Sequence, residues 1–135
     1  MNKYLAKIIA SDQEGLQMIS ACSSAAKVKI SDIKYLATNK VFLLSIERIK
    51  VESENEDKKV NSICRFDFVD KVKSKNIDQS NQEMILELVG IDYLKNNDVY
   101  EINLFFSNNA HIALTAETIE AILEDQSEIK QRWRF

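Results

Sequence analysis

With 135 residues, a net charge of −3 and 45% hydrophobic residues, the chain has the length and composition of one globular domain over residues 1–135. Its acidic balance disfavours broad binding to nucleic-acid backbones, and no apolar run approaches the roughly 18 residues that a membrane-spanning helix needs. Only two glycines and no proline occur, which excludes the glycine-rich loops that cradle phosphates.

The first half of the chain predicts short strands around one early helix. Residues 4–9 predict a strand, and Ser11 with Glu14 forms a capping box that starts a helix over residues 12–23. The N-terminal apolar stretch is short and interrupted by Lys7, which makes a poor signal peptide, so we expect a cytoplasmic location. The later segments are predicted as strands over residues 28–30, 33–35 and 41–51, turns at 31–32 and 39–40, and an exposed charged loop over 52–59, with a partner-binding acidic loop as the alternative.

A lysine-bearing strand is predicted next. Residues 60–69 predict a strand, and the alternation that follows places Lys71, Lys73 and Lys75 on one face of a further strand. Lysines at this spacing are typical of an edge strand, where they discourage sheet-to-sheet aggregation. The same three residues are candidates for contact with a partner.

The segment over residues 80–93 fits two structures. Ser80 and Glu83 form a second capping-box pattern, which favours a helix. The alternation of Ile85, Val89, Ile91 and Tyr93 favours a strand instead. We predict a strand from about residue 84, followed by a turn at residues 96–97.

Residues 98–125 predict a β-hairpin that leads into a helix. Apolar residues alternate up to Phe106, and Asn108 and Asn109 form a turn because asparagine tolerates the positive φ that such hairpins need. Alternation resumes after the turn and then changes to a helical spacing of apolar residues. The predicted C-terminal helix carries its apolar stripe at Ala116, Ile119, Ile122 and Leu123 and its acidic face at Glu117, Glu120 and Glu124.

These elements predict an α+β fold. Seven or eight strands joined by short loops favour antiparallel pairing, in a curved sheet or a partly open barrel with one early helix and one C-terminal helix. Pleckstrin-homology barrels end in a similar helix, which makes them a fold analogy without functional weight.

Side chains that support catalysis are scarce. His111 is the one histidine, and its position opposite Ile112 in the alternation predicts an outward or edge location without metal-ligand spacing. Cys22 and Cys64 have no metal or redox spacing and are interpreted as small buried hydrophobic residues. We therefore expect no catalytic residue, no metal and no cofactor, and we keep Asp32, Asp67 and Asp78 as carboxylates for an alternative, magnesium-assisted enzyme.

The end of the chain interleaves cations with aromatic residues. Arg132, Trp133 and Arg134 lie within a basic-aromatic tail over residues 130–135. Trp and Arg are frequent anchors in interfaces, so these three residues are candidate partner-binding residues. Packing of Trp133 back onto the sheet is the structural alternative.

Three segments together resemble a small bacterial family. They are SACSSAAKVKISDIKYL (residues 20–36), RFDFVDKVKSKNIDQS (65–80) and IALTAETIEAILED (112–125). The family is found mainly in alphaproteobacteria and is a domain of unknown function, so the resemblance implies no activity and no catalytic residue. Its pattern has a histidine at the position of Cys22, a glycine at that of Asn76 and glycines around residues 108–109.

The sequence therefore favours a non-catalytic binding or adaptor module of the bacterial cytoplasm with a protein partner. An enzyme that uses acidic residues, with or without Mg²⁺, is the first alternative. An RNA-contacting protein that uses the lysine strand and the tail is the second.

Overall fold

The structure is a computed structural model that describes residues 5–49 and 59–128, with side chains described up to residue 126. One α-helix, α1 (Gln13–Ser23), two 3₁₀ turns (Ile30–Asp32 and Ser107–Asn109) and ten strands make up this part of the chain. The strands are β1 (Lys7–Ala10), β2 (Lys27–Lys29), β3 (Ile33–Leu36), β4 (Val41–Ile49), β5 (Lys59–Phe66), β6 (Val69–Lys75), β7 (Ile85–Asn96), β8 (Val99–Phe106), β9 (His111–Ala116) and β10 (Ala121–Glu128).

The ten strands form one antiparallel sheet that does not close. Its order is β1-β10-β5-β4-β2-β7-β8-β9-β6, and β3 pairs with β4 beside this path. β6 ends the order, and no ladder joins it to β3 within residues 5–49 and 59–128. This arrangement confirms the predicted antiparallel, unclosed α+β sheet, but the predicted count of seven or eight strands is too low. None of the described helices is long and apolar enough to cross a membrane.

The predicted C-terminal helix is wrong, because residues 121–128 form β10 between β1 and β5. Ala121, Leu123 and Asp125 are buried and alternate with more exposed residues, so a period of two governs this segment. Ile119 lies in the loop before β10, where it is buried. Its sequence spacing from Ile122 and Leu123 resembles that of one helix face, which caused the wrong prediction. The predicted acidic helix face is therefore wrong as well. The analogy with pleckstrin-homology barrels depended on a C-terminal helix, so the structure does not support it.

The ambiguous segment is a strand, as predicted, although part of its inward face was misassigned. Ile85 and Val89 are exposed, whereas Leu86 and Leu88 are buried. A β-bulge between Leu88 and Gly90 shifts the register and turns Ile91 inward. The freed backbone N–H of Ile91 donates to Ser20 Oγ at 2.9 Å, which ties the bulge to α1.

The N-cap of helix α1 lies one residue after Ser11, the position that the capping-box pattern predicted. Asp12 is the N-cap, and its side chain accepts a hydrogen bond of 2.8 Å from the backbone N–H of Gly15. Leu16 and Ile19 are buried beneath the helix. A Cβ at Gly15 would lie 2.8 Å from Ala10 Cα, so the close approach of β1 requires glycine there.

Asparagines occupy left-handed turn positions, as the glycine-poor composition predicts. Asn108 and Asn109 both have positive φ, at 61° and 60°, in the hairpin between β8 and β9. Asn97 has a φ of 58° between β7 and β8, and Asn76 has a φ of 61° after β6. Asparagine adopts this conformation more readily than other side chains do.

Candidate functional site

The predicted lysine strand lies at the edge of the sheet. β6 pairs with β9 along one side only, and Lys71, Lys73 and Lys75 are all exposed. The ladder places them opposite Thr115, Ala113 and His111, in that order. Within the described part of the chain, no carboxylate forms an ion pair with these three ammonium groups.

The register of β8 continues these rows across the outer surface. Phe105 lies opposite His111 and Asn103 lies opposite Ala113. Phe105 is 39% exposed although it is aromatic. Glu101, which is exposed, lies opposite Thr115 in the row of Lys71. We call this surface the lysine face, and its members are Lys71, Lys73, Lys75, Glu101, Asn103, Phe105 and His111.

His111 is held in a fixed orientation on the lysine face. Its ring stacks on Phe105 with centroids 4.9 Å apart and planes inclined by 5°. Its Nε2 lies 2.8 Å from Asn103 Oδ1, and Asn103 Nδ2 donates to Glu101 Oε2 at 3.4 Å. Because the amide nitrogen faces the carboxylate, Oδ1 is the acceptor and Nε2 of His111 carries the proton. The outward position of His111 was predicted correctly, and its stacked partner was missed.

A small cavity lies in the gap between β3 and β6, which we call the seam. The seam cavity has a volume of about 230 Å³. Apolar side chains from both sides line it together with the polar side chains of Ser74, Gln79 and Gln82. The Tyr35 hydroxyl donates to the backbone oxygen of Val69 at 2.7 Å at one end of the seam. The main apolar lining residues are Ile33, Phe42, Val72, Ile77 and Ile112.

Arg48 and Asp125 form a buried ion pair that sequence reasoning missed. Asp125 accepts hydrogen bonds from Arg48, from the Ser62 hydroxyl at 2.6 Å and from the backbone N–H of Ala6 at 2.8 Å. Burial alone raises the pKa of Asp125, but these hydrogen bonds outweigh it and hold the pKa below its ordinary value. Both side chains are fully enclosed, so the pair joins strands rather than meeting a ligand.

The carboxylates kept for an enzyme lie on separate parts of the chain. Asp32 is in the turn after β2, Asp67 forms an ion pair with Arg65 at 2.9 Å, and Asp78 accepts hydrogen bonds from Ser80. Those hydrogen bonds lower the pKa of Asp78. Within the described residues no group of three or more metal-ligating side chains occurs.

The cysteines do not form a reactive site in the described chain. Cys64 is fully buried in β5, and burial raises the pKa of its thiol to about 12, which opposes thiolate formation at neutral pH. Cys22 is half-buried on α1 and packs against the core. Both positions agree with the predicted structural role.

Two predicted segments lie outside the described residues. Arg132, Trp133 and Arg134 belong to residues 129–135, so their contact role stays a prediction. The charged loop predicted over residues 52–59 is also outside, except for its last residue, which begins β5.

The fold and the site define an antiparallel α+β domain with a row of three exposed lysines on an edge strand. The chain belongs to the family described as protein of unknown function DUF2948, whose sequence model matches residues 6–133. No curated protein and no solved structure is significantly similar to it. The match confirms the predicted membership of an uncharacterised domain family.

Proposed function

We propose that this protein is a non-catalytic binding module of the bacterial cytoplasm, and that its lysine face binds an acidic segment of a partner polypeptide. The observation that carries the proposal is the row of Lys71, Lys73 and Lys75 at successive outward positions of an edge strand, without ion pairs in the described chain. Outward residues two apart on a strand are separated by roughly 6.6 Å. An extended partner with alternating carboxylates has the same spacing.

The charges of the lysine face favour the binding of such a partner. Neighbouring ammonium groups at this spacing repel one another by about 0.6 kcal/mol in water. A carboxylate that approaches each lysine removes this repulsion and contributes about 0.2–1 kcal/mol per exposed ion pair. Three such pairs give weak, salt-sensitive binding, so further contacts are needed for a stable complex.

Single-stranded RNA is the second candidate partner. The stacked rings of Phe105 and His111 beside Lys75 favour it, because aromatic side chains near cations accept nucleotide bases. The net charge of −3 opposes it. The acidic polypeptide is preferred because the lysines follow strand spacing and the Phe105 and His111 rings stack on each other.

Fluorescence anisotropy with two labelled probes tests the proposal. The probes are a short oligoglutamate peptide and an oligouridine of matched charge, each titrated with protein at low and rising salt. The variant K71Q/K73Q/K75Q is compared with K7Q/K27Q/K59Q, which removes the same charge from exposed positions on β1, β2 and β5.

We expect oligoglutamate to bind the wild type and the control variant, and to lose most of its affinity for K71Q/K73Q/K75Q. Preferential binding of oligouridine, removed by the same substitutions, would replace the acidic partner with RNA. Equal binding of oligoglutamate to both variants would contradict a role for the lysine face.

A further inference from the structure

The unclosed side of the sheet brings two free strand edges towards each other. β3 pairs with β4 only and β6 pairs with β9 only, so the other edge of each strand faces the seam. Among the described residues, polar contacts bridge the seam at both ends. At the Ser74 end, Gln79 Nε2 donates to Ser74 Oγ at 3.3 Å, and the backbone N–H of Ser31 donates to Gln82 O at 3.0 Å. Three contacts bridge the Val69 end. They are Val69 N–H to Lys40 O at 2.9 Å, Tyr35 Oη to Val69 O at 2.7 Å and the ion pair of Lys40 with Asp70 at 3.0 Å.

We infer that the seam is a docking groove for an extended peptide, which adds as a strand along the free edge of β6 and places an apolar side chain in the seam cavity and acidic side chains beside the lysines. This inference rests on the proposed function and specifies how the acidic partner binds. Backbone hydrogen bonds to a free sheet edge provide affinity in this binding mode, and alternate side chains provide specificity.

The side-chain alternation of β6 sets the pattern of the peptide. Val72 and Ser74 line the seam cavity, whereas Lys71, Lys73 and Lys75 are on the outer face. A strand paired with β6 shares its pleat, so its inward residues face the cavity and its outward residues lie about 4.5–5.5 Å from the lysines. The groove therefore selects alternating apolar and acidic residues.

The opposite wall of the seam repeats the same pattern. Ile33 and Tyr35 on β3 line the cavity. Lys34 lies between them in sequence, so it points to the outer face, where it is exposed. Outward carboxylates of an inserted peptide would consequently lie between cations on both sides.

The seam cavity supplies an apolar contact, which the lysines do not provide. Its volume of about 230 Å³ and its lining of Ile33, Phe42, Val72 and Ile112 suit one large apolar side chain. Burial of such a side chain corresponds to roughly a ten- to hundred-fold gain in affinity.

Charge complementarity argues against two occupants, the basic tail of the chain and the β6 strand of a second copy. The tail over residues 130–135 carries Lys130, Arg132 and Arg134, which would be repelled by the lysines of β6. Edge-to-edge pairing of β6 with β6 of a second copy would place lysines beside lysines, and like charges at paired positions destabilise a sheet. An acidic partner polypeptide is complementary in charge to the lysines of β6 and to Lys34 of β3, on the two sides of the seam.

Fluorescence anisotropy tests the binding mode with two peptides of equal composition and with oligoglutamate. The probes are the peptide Glu-Val-Glu-Leu-Glu-Val-Glu, a scrambled peptide without alternation, and oligoglutamate. Ser74→Trp fills the mouth of the cavity, and Ser45→Trp is the matched control on an exposed position of β4. Circular dichroism verifies that both variants are folded.

We expect the alternating peptide to bind the wild type and S45W at least about ten-fold tighter than the scrambled peptide. S74W should lose this preference and still bind oligoglutamate. Equal binding of the alternating and scrambled peptides would overturn the strand-addition mode while the lysine face stands. Failure of all acidic peptides to bind would overturn the proposed function as well.

Light scattering tests whether a second copy of the chain occupies the groove. We expect a monomer in the absence of peptide. A wild-type dimer that dissociates in S74W but persists in S45W would show that a second copy occupies the groove and would overturn the inference.

Discussion

Arg48 and Asp125 face each other through two hydrogen bonds inside the fold. Arg48 Nε lies 3.0 Å from Asp125 Oδ1, and Arg48 Nη2 lies 2.9 Å from Asp125 Oδ2. The residues are 77 positions apart in the chain and belong to β4 and β10, and Ser62 of the intervening β5 bonds to the same carboxylate. A single carboxylate therefore joins three neighbouring strands and the backbone at Ala6.

Asp125→Asn should strongly destabilise the protein. The substitution removes the negative charge of Asp125 from its buried pair with Arg48, and breaking a buried ion pair costs about 3–5 kcal/mol. Urea unfolding measures the change in the free energy of unfolding. Asp67→Asn is the control, because it breaks the exposed pair with Arg65 and should cost about 0–1 kcal/mol. Similar losses for the two variants would refute the structural importance of the buried pair.

The stability of the protein should depend on pH through Asp125. Burial raises the pKa of this carboxyl, but the hydrogen bonds from Arg48, Ser62 and Ala6 together lower it by more, so the net pKa is below the ordinary value of 3.8. A group with a depressed pKa in the folded state stabilises the fold above its unfolded pKa, and this contribution is lost as the pH falls through the folded pKa.

The free energy of unfolding of the wild type should therefore decrease below about pH 4, and D125N should show a smaller decrease. Asp78 contributes in the same direction because Ser80 lowers its pKa, so the difference between wild type and D125N is the relevant quantity. Parallel pH profiles for the two proteins would show that Asp125 does not titrate as described.

The two glycines should respond differently to alanine. A Cβ at Gly15 meets Ala10 Cα at 2.8 Å, and this contact is with backbone that must shift. We expect Gly15→Ala to lower the free energy of unfolding by about 1–3 kcal/mol, although alanine favours a helix by about 1 kcal/mol.

Gly90→Ala is the matched control. Its Cβ would lie 3.7 Å from Ser20 Oγ, an ordinary contact, and Gly90 has no positive φ. Thermal unfolding followed by circular dichroism compares the two. An unchanged midpoint for Gly15→Ala would mean that β1 does not approach the helix as closely as described.

Local patterns predicted much of the sheet, and their failures have physical causes. The asparagine turns and the lysine strand follow from properties of single residues, namely the left-handed conformation and edge protection. β10 was misassigned because Ile119, in a loop, completes a helical spacing with Ile122 and Leu123. Only its pairing with β1 and β5 decides in favour of a strand.

The site was predictable where it depends on one strand and unpredictable where it depends on register. Lys71, Lys73 and Lys75 share a face by alternation alone. The stack of Phe105 on His111 requires the longer turn at Ser107–Asn109, which sets Phe105 opposite His111. A two-residue turn at Asn108 and Asn109 would pair Phe105 with Ile112 instead. The Arg48–Asp125 pair likewise needs strand neighbours that no local pattern reveals.

The most direct test of the lysine face is an NMR titration of isotopically labelled protein with oligoglutamate. Backbone amide shifts should change along β6 and its partner β9, around Lys73 and His111, and should fade as salt rises. Amides of β1 and β10, on the far side of the sheet order, should stay in place. Shifts confined to β1 and β10, or no shifts at all at low salt, would contradict the account.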